Sequence, residues 1–241
     1  MVTFLGKFTQ TGNAGNCTAN WIISGGNGAA GLVPGVVSGT NVSGALQFTA
    51  PGVYLIKLHV VDGAGTAAET DLVSNDLPAF VVIYDPNGGF VTGGGWINSP
   101  AGAFHPELAA DAGVIGKASF GFVAKYLKGA NVPTGNTEFQ FKAGNLNFKS
   151  TAYQWLVVAG AKAQYKGQGT INGQGSFGFM LTAIDGALKG SGQPDRFRMK
   201  ISDQATGIVI YDNQAGAADF AELDTGTVIG GGSIVIHDPK K

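Results

Sequence analysis

Four aspartates at predicted turns are the most promising metal ligands in this 241-residue chain. Asp185 and Asp195 flank one loop, and Asp203 and Asp212 flank the next predicted hairpin. Calcium takes about six to eight oxygen ligands from carboxylates, amides and backbone carbonyls, which the loops of β-domains readily supply. If neighbouring hairpins meet at one end of a domain, two or three of these carboxylates converge, and the pattern predicts a structural calcium site. The alternative is that they are ordinary turn formers.

Hydrolytic chemistry has little support in the sequence. The three histidines, His59, His105 and His237, stand in none of the spacings that mark zinc proteases or serine hydrolases. A glycosidase needs two acids that face one cleft. The acids of the second half that could be arranged in this way are Glu107, Asp111, Glu138, Asp185, Asp195 and Glu222. Glu138 alternates with two phenylalanines, which predicts a solvated outer position on a strand, and we predict that the chain is not an enzyme.

Aromatic side chains of the second half could form a sugar-binding platform. They are Trp96, Tyr126, Tyr153, Trp155, Tyr165 and Tyr211. Tyr153 and Trp155 are separated by one polar residue, so they are predicted to share a strand face, and their apolar neighbours make it the core face. Trp96 follows three glycines, and we predict that its indole packs in the core of the second domain against closely approaching backbone.

A polar strand face is predicted close to these aromatic residues. Lys162, Gln164 and Lys166 alternate with Ala163 and Tyr165, which places the three polar side chains on one side of a strand. Such a face suits a glycan surface, and it is equally typical of the solvated side of an antiparallel sheet.

Composition excludes several functional classes. Only 13% of the residues are charged and the formal net charge is −1, so no basic footprint for nucleic acid is present. The longest apolar runs have the length of a strand and fall short of the roughly 20 residues that span a bilayer. Polar and apolar residues alternate directly after Met1, so we expect no signal peptide. The single cysteine, Cys17, excludes an internal disulfide.

Short alternating runs separated by turn residues predict an all-β protein of two domains. The 40 glycines follow no fixed period, and almost every predicted connection contains Gly with Asn, Asp or Ser. We place a first β-sandwich at 1–86, a short linker at 87–89 and a larger antiparallel sandwich at 90–241. The segment Asp85-Pro-Asn-Gly-Gly89 predicts a short, stiff junction.

Two stretches resemble known modules. Phe48, the turn Pro51-Gly-Val-Tyr54, the alternation from Leu55 to Val61 and Asp62-Gly63 resemble the polycystic kidney disease (PKD) domain. This resemblance covers roughly residues 1–86 and implies an immunoglobulin-like β-sandwich. The acidic stretch that family members often carry after the early Trp strand is absent here, where Asn20-Trp21 is followed by Ile-Ile-Ser-Gly-Gly.

The second half is similar to a module at the C-terminal ends of bacterial multi-PKD proteins. The segments that carry this resemblance are Phe90–Phe104, Gly121–Tyr126, Pro133–Phe141, Gly178–Gly186, Asp195–Ile201, Val209–Gln214 and Gly230–His237. It implies a place in large secreted or cell-surface proteins and carries no activity.

These observations favour a non-catalytic structural or adhesive module that acts as a spacer and interaction surface. Two alternatives stay open: a carbohydrate-binding accessory module of a secreted hydrolase, and a self-assembling subunit of a surface layer or filament. The partners expected are other domains of a larger precursor, polysaccharide or copies of the chain, with no nucleic acid and no transmembrane segment. We expect an extracellular or cell-surface location.

Overall fold

The structure, a computed structural model, describes residues 1–9, 16–25, 31–73, 77–219 and 226–237. The chain divides into two compact units, Met1–Ile83 and Tyr84–Lys241. Both consist of antiparallel strands, so the predicted all-β architecture of two sandwich-like domains is confirmed. Within the described residues, no helix is long and apolar enough to cross a membrane.

The first unit is a seven-stranded antiparallel sheet with a small two-stranded addition. The order in the large sheet is β1-β4-β3-β2-β5-β6, and β9 also pairs with β5, whereas β7 pairs with β8. The strands are β1 (Val2–Lys7), β2 (Thr18–Gly25), β3 (Gly31–Ser38), β4 (Asn41–Leu46), β5 (Gly52–Val61), β6 (Ala67–Thr70), β7 (Leu72–Val73), β8 (Leu77–Pro78) and β9 (Phe80–Ile83). Alternation along β2 and β5 buries Trp21, Ile23, Ile56 and Leu58, which form the centre of this unit's core.

The second unit is a ten-stranded antiparallel sheet. Its order is β17-β16-β15-β14-β13-β12-β11-β10-β19, and β18 also pairs with β16. The strands are β10 (Phe90–Ser99), β11 (Gly116–Lys125), β12 (Thr134–Phe141), β13 (Leu146–Ala159), β14 (Lys162–Ile171), β15 (Gln174–Ile184), β16 (Arg196–Asp203), β17 (Val209–Asp212), β18 (Thr227–Val228) and β19 (Gly231–His237). The described helical pieces are α1 (Gly186–Lys189) and two 3-10 turns, Ala109–Asp111 and Lys142–Gly144.

The large sheet folds over on itself so that its two ends share one core. Phe120 of β11 stacks on Phe197 of β16, with ring centroids 4.0 Å apart and planes within 5°. Phe139 of β12 lies 4.6 Å from the ring of Tyr211 in β17. Strands far apart in the sheet order therefore meet across the interior, and their inward aromatic side chains fill it.

The C-terminal segment ties the two ends of this sheet together. Strand β18 pairs with β16, whereas β19 pairs with β10 along Phe90–Trp96. Between these two strands, the amide of Ile229 donates to the carbonyl of Asp195 at 3.1 Å, and the amide of Gly230 donates to the carbonyl of Trp96 at 2.7 Å. One short segment thus links opposite ends of the folded sheet.

A β-bulge in β13 changes the expected face of Trp155. Tyr153 pairs with Gly167, whereas Trp155 pairs with Lys166, so the register shifts at the residue between them. A bulge adds one residue to a strand and reverses the alternation beyond it. Tyr153 and Leu156 consequently face the core, and Trp155 faces outward. The prediction that Tyr153 and Trp155 share the core face is wrong for this reason.

Candidate functional site on the outer face of the second unit

Asp185 and Asp195 hold the outer edge of β19. One carboxylate oxygen of Asp185 accepts the amide of Ile236 at 3.0 Å, and one oxygen of Asp195 accepts the amide of Ile234 at 2.7 Å. Their remaining oxygens accept amides of the connecting loop, from Leu188 at 3.3 Å and Gly186 at 2.7 Å respectively. The structure brings these two predicted calcium ligands to the same strand edge, where both act as hydrogen-bond acceptors for protein amides.

Asp203 closes the turn that joins β16 to β17. Its carboxylate accepts the amide of Thr206 at 2.8 Å, the hydroxyl of Thr206 at 2.9 Å and the amide of Ala205 at 2.9 Å. The backbone hydrogen bond from Thr206, followed by that from its hydroxyl, lowers the pKa of Asp203. This is the behaviour of an aspartate that stabilises a tight turn.

Asp212 forms a buried ion pair with Arg198. The guanidinium donates two hydrogen bonds to the carboxylate at 3.0 and 2.8 Å, and the two side chains are 1% and 5% exposed. Arg198 also donates to the carbonyls of Ala217 and Ala218, at 3.0 and 2.9 Å. The pair thereby holds the segment after β17 against the outer surface of β16.

The four predicted calcium ligands are therefore spread over three local structures. Within the described part of the chain, no group of three or more His, Cys, Asp or Glu side chains is placed to hold a metal ion. Each of the four carboxylates accepts hydrogen bonds from protein donors. Calcium binding at Asp185, Asp195, Asp203 and Asp212 stays a prediction.

The other candidate acids and histidines show separate partners. His105 Nδ1 lies 2.7 Å from a carboxylate oxygen of Asp111, and His237 stacks on Phe90 with centroids 4.0 Å apart. Glu138 is exposed and lies 3.5 Å from the ammonium of Lys149. Glu222 lies outside the described residues.

The predicted aromatic platform is mostly internal. The Tyr126 hydroxyl donates to the carbonyl of Leu156 at 3.2 Å and accepts its amide at 3.0 Å, and burial raises the pKa of Tyr126 to about 12. The hydroxyls of Tyr153 and Tyr165 share Thr137 Oγ1 at 2.8 and 2.9 Å. Burial raises the pKa of both tyrosines, that of Tyr165 well above its usual value. These rings therefore build the core.

Tyr211 is also internal. Its hydroxyl donates to Ser99 Oγ at 2.9 Å, and burial raises its pKa. Of the predicted aromatic platform, the two tryptophans thus lie on the outer face.

The predicted polar face along β14 is partly covered. Gln164 is 4% exposed, and its amide donates to the carbonyl of Asp219 at 2.9 Å and to Thr182 Oγ1 at 3.1 Å. The segment held by Arg198 thus lies over this part of the sheet. Sequence alternation identified the face of Gln164 correctly but gave no sign of the chain that covers it.

Trp96 lies on the outer face, so the prediction that it packs in the core is wrong. Its neighbour Ile97 is fully buried and faces inward, which turns the indole outward, where it is half-buried. The backbone of Gly230 passes so close that a Cβ there would lie 2.2 Å from ring carbon Cζ3. The ammonium of Lys117 stands 4.4 Å from the ring centroid, which is cation–π geometry. The sequence predicts close glycine backbone from the residues before Trp96, but this backbone comes from Gly230, directly before β19.

Beside Trp96, the outward residues of four strands are aligned in register. One row across the sheet is Trp96, Ser119, Gln140 and Asn147, and the next row is Gly94, Gly121, Glu138 and Lys149. A depression of about 400 Å³ lies over these rows. Its lining residues are Ser119, Phe120, Gly121, Glu138, Gln140 and Asn147. We call this surface the outer depression.

Two strand glycines keep the outer depression open. A Cβ at Gly121 would meet no atom within 4 Å, and one at Gly94 would meet only the carbonyl oxygen of Phe120 at 3.9 Å. By contrast, a Cβ at Gly93 would lie 2.4 Å from the ring of Phe122, so packing requires glycine there. Glycine weakens a strand interior and often marks close approach by a ligand or another backbone. The register at Gly94 and Gly121 is regular, so no bulge accounts for them.

Comparisons with known proteins give this chain no relative. No model of a protein family matches it. No curated protein and no solved structure matches it either.

Proposed function

We propose that this chain is a non-catalytic structural and adhesive module of a secreted or cell-surface bacterial protein. It would act as a spacer within a larger precursor, and the outer depression of its second unit would be the interaction surface. The sequence resemblance to PKD-type modules supports the setting. The four aspartates predicted to bind calcium accept hydrogen bonds from strand amides, turn amides or Arg198.

The observation that carries this proposal is the outer depression itself. Outward polar side chains of β11, β12 and β13 line an open surface, and two unfilled glycine positions let a partner approach the backbone. Serine, glutamine and asparagine side chains offer both donors and acceptors, which suits recognition of a hydroxylated or amide-bearing partner.

Adsorption to insoluble polysaccharide-rich cell envelopes tests the interaction surface. We expect the fluorescently labelled chain to adsorb and the double variant Gln140→Ala, Asn147→Ala to adsorb less, because two hydrogen-bonding side chains of the outer depression are removed. Gln47→Ala, an exposed glutamine of the first unit, is the matched control and should adsorb like wild type. Equal adsorption of all three proteins would contradict the assigned surface.

Catalysis and self-assembly would appear in two further assays. Release of reducing sugar from the same envelopes by wild type but not by Glu138→Gln would overturn the non-catalytic proposal. Concentration-dependent growth of large particles in sedimentation velocity would instead support the self-assembling alternative. A chain that sediments as one small species and releases no sugar supports the proposal.

Structural calcium at the four aspartates is tested by chelation. Calcium that binds the folded state raises its melting temperature, so the calcium hypothesis predicts a lower Tm after EDTA and recovery with excess calcium. Magnesium at the same concentration is the control for ionic strength. A Tm that does not change with EDTA or calcium would reject the hypothesis.

A further inference from the structure

We propose that the outer depression binds an anionic polysaccharide, a linear chain whose sugar rings carry carboxylates. This inference rests on the proposed function, because it names the ligand class of the same face. It is carried by the distribution of charge around the outer depression, together with the chemistry of its lining.

Exposed lysines surround the outer depression, while the one described acid on this face is already paired. The lysines are Lys117 and Lys125 of β11 and Lys149 of β13. Among the described residues, the first two form no ion pair, and Lys149 lies 3.5 Å from Glu138. The face therefore carries an excess of positive charge, although the whole chain has a net charge of −1.

The lysines are spaced to follow an extended ligand. Lys117 and Lys125 occupy outward positions at the two ends of β11, and Gly121 lies midway between them. At about 3.3 Å per residue, the two lysine Cα atoms are roughly 26 Å apart. A chain that runs along β11 would cross the open glycine positions and meet an ammonium near each end.

Between the lysines, the lining suits sugar hydroxyls. Ser119, Gln140 and Asn147 stand side by side in the register, so a hydroxyl, a carboxamide and a second carboxamide face the same space. Each carboxamide can donate and accept, which matches the mixed donor and acceptor character of a sugar hydroxyl. The indole of Trp96 extends this row and offers an apolar edge.

The same features disfavour nucleic acid as the ligand. Nucleic-acid surfaces combine a dense basic stripe with aromatic rings on which bases stack. Here the outward residues of β11, β12 and β13 include no arginine, and the ammonium of Lys117 lies over the Trp96 ring at 4.4 Å from its centroid.

Polygalacturonate is the probe for this proposal, and its fully methyl-esterified form is the matched neutral ligand. The ester keeps the sugar chain but removes the carboxylate charge. We expect the chain to bind polygalacturonate measurably by isothermal titration calorimetry, to bind the ester about tenfold or more weakly, and to lose affinity as salt is raised. Equal binding of both forms would overturn the anionic assignment.

Variants assign the binding to this face. Lys117→Gln combined with Lys125→Gln should weaken polygalacturonate binding about tenfold. Each lysine contributes a modest share of the attraction to an anionic ligand, and the double variant removes two such contributions. Lys7→Gln, an exposed lysine of the first unit, is the charge control and should leave binding unchanged. Binding that the double variant retains in full would place the anion elsewhere and overturn the inference.

Two outcomes separate this inference from the proposed function. In the first outcome, wild type does not bind polygalacturonate but still adsorbs to envelopes, and the double variant Gln140→Ala, Asn147→Ala does not adsorb. The ligand class is then wrong and the interaction surface stands. If neither binding nor adsorption occurs, both fail. Single-stranded DNA is a further probe. If it binds as tightly as polygalacturonate, and the same lysine variant abolishes that binding, the face belongs to nucleic acid and the polysaccharide inference is overturned.

Discussion

At the scale of single residues, Arg198 is the largest fully buried side chain among the residues that the structure describes. It is 1% exposed, and its guanidinium is matched by the Asp212 carboxylate and by two carbonyls of the segment after β17. A buried ion pair adds little net stability compared with a well-packed apolar pair, but removing one partner leaves an uncompensated buried charge. Arg198 therefore specifies where the segment after β17 lies.

Arg198→Met should destabilise the chain by about 3–5 kcal/mol, because Asp212 and the two carbonyls lose their donors in a buried site. Urea unfolding monitored by tryptophan fluorescence measures the change. Arg196→Met is the matched control, since Arg196 lies on the same strand and donates one described hydrogen bond, to the carbonyl of Gly226 at 3.2 Å. A loss for Arg198→Met no larger than for Arg196→Met would contradict the account.

The raised pKa of Tyr126 predicts that the free energy of unfolding falls at high pH. Its pKa is raised from 10.0 to about 12 by burial, so the unfolded chain releases this proton first. The contribution is fully present below pH 10 and is lost as the pH rises from 10 through 12. We expect the free energy of unfolding to fall more steeply between pH 10 and 11 in wild type than in Tyr126→Phe.

The control for the pH experiment is Tyr84→Phe, whose ring stacks on Tyr126 but is 37% exposed. Tyr84 adds only a smaller electrostatic contribution to the raised pKa of Tyr126, so this variant should keep most of the steep fall seen in wild type. Identical pH dependence for wild type and Tyr126→Phe would mean that other buried tyrosines, such as Tyr165, account for the alkaline loss.

At the scale of elements, the edge of β19 shows how side chains can complete a sheet. This strand pairs with β10 on one side, and on the other side its amides at Ile234 and Ile236 donate to Asp195 and Asp185. Unpaired amides at a strand edge invite association with other chains. Two carboxylates, one directly after β15 and one just before β16, thus satisfy an edge that no further strand among the described residues covers.

Asp195→Ala should open the edge of β19. We expect faster hydrogen exchange at Ile234 and a destabilisation of about 1–3 kcal/mol, because a buried amide loses its acceptor. Asp203→Ala is the control: it removes the acceptor for a turn and should leave exchange at Ile234 as in wild type. Unchanged exchange at Ile234 in Asp195→Ala would contradict the role assigned to this carboxylate.

The elements that sequence patterns predicted well are those governed by local alternation. The strands of the second unit follow the alternating runs, and the outward position of Glu138 is confirmed. Trp155 was misplaced because a single-residue bulge reverses alternation, and nothing in Tyr153-Gln-Trp155 marks the bulge. Alternation along β14 predicts a solvated Gln164. It misses the burial of this side chain because the segment that covers it is remote in sequence.

The outer depression could be predicted only in part for a similar reason. The alternation of Glu138 and the small residues of β10 and β11 are visible in the sequence. The sequence does not show which strands become neighbours. The rows that bring Ser119, Gln140 and Asn147 together therefore follow only from the strand register of the structure. The partial burial of the Trp96 indole likewise depends on the approach of Gly230 from a distant part of the sequence.

At the scale of the whole molecule, charge is divided between the interior and the surface of the second unit. Asp185, Asp195 and Asp212 turn toward amides or an arginine, whereas the lysines of β11 and β13 point to solvent. A chain with a net charge of −1 thereby presents a locally basic face. Local potentials of this kind steer charged ligands even when the net charge is small.

The most direct test of the interaction surface is to fill the outer depression without altering the fold. Gly121→Val places a side chain where no atom lies within 4 Å, and valine favours strands, so the variant should melt at or above the wild-type temperature. Gly113→Val, which also meets no atom within 4 Å, is the control away from this face. We predict that envelope adsorption is lost in Gly121→Val and retained in Gly113→Val at matched melting temperatures. Full adsorption of a stably folded Gly121→Val would contradict the central claim.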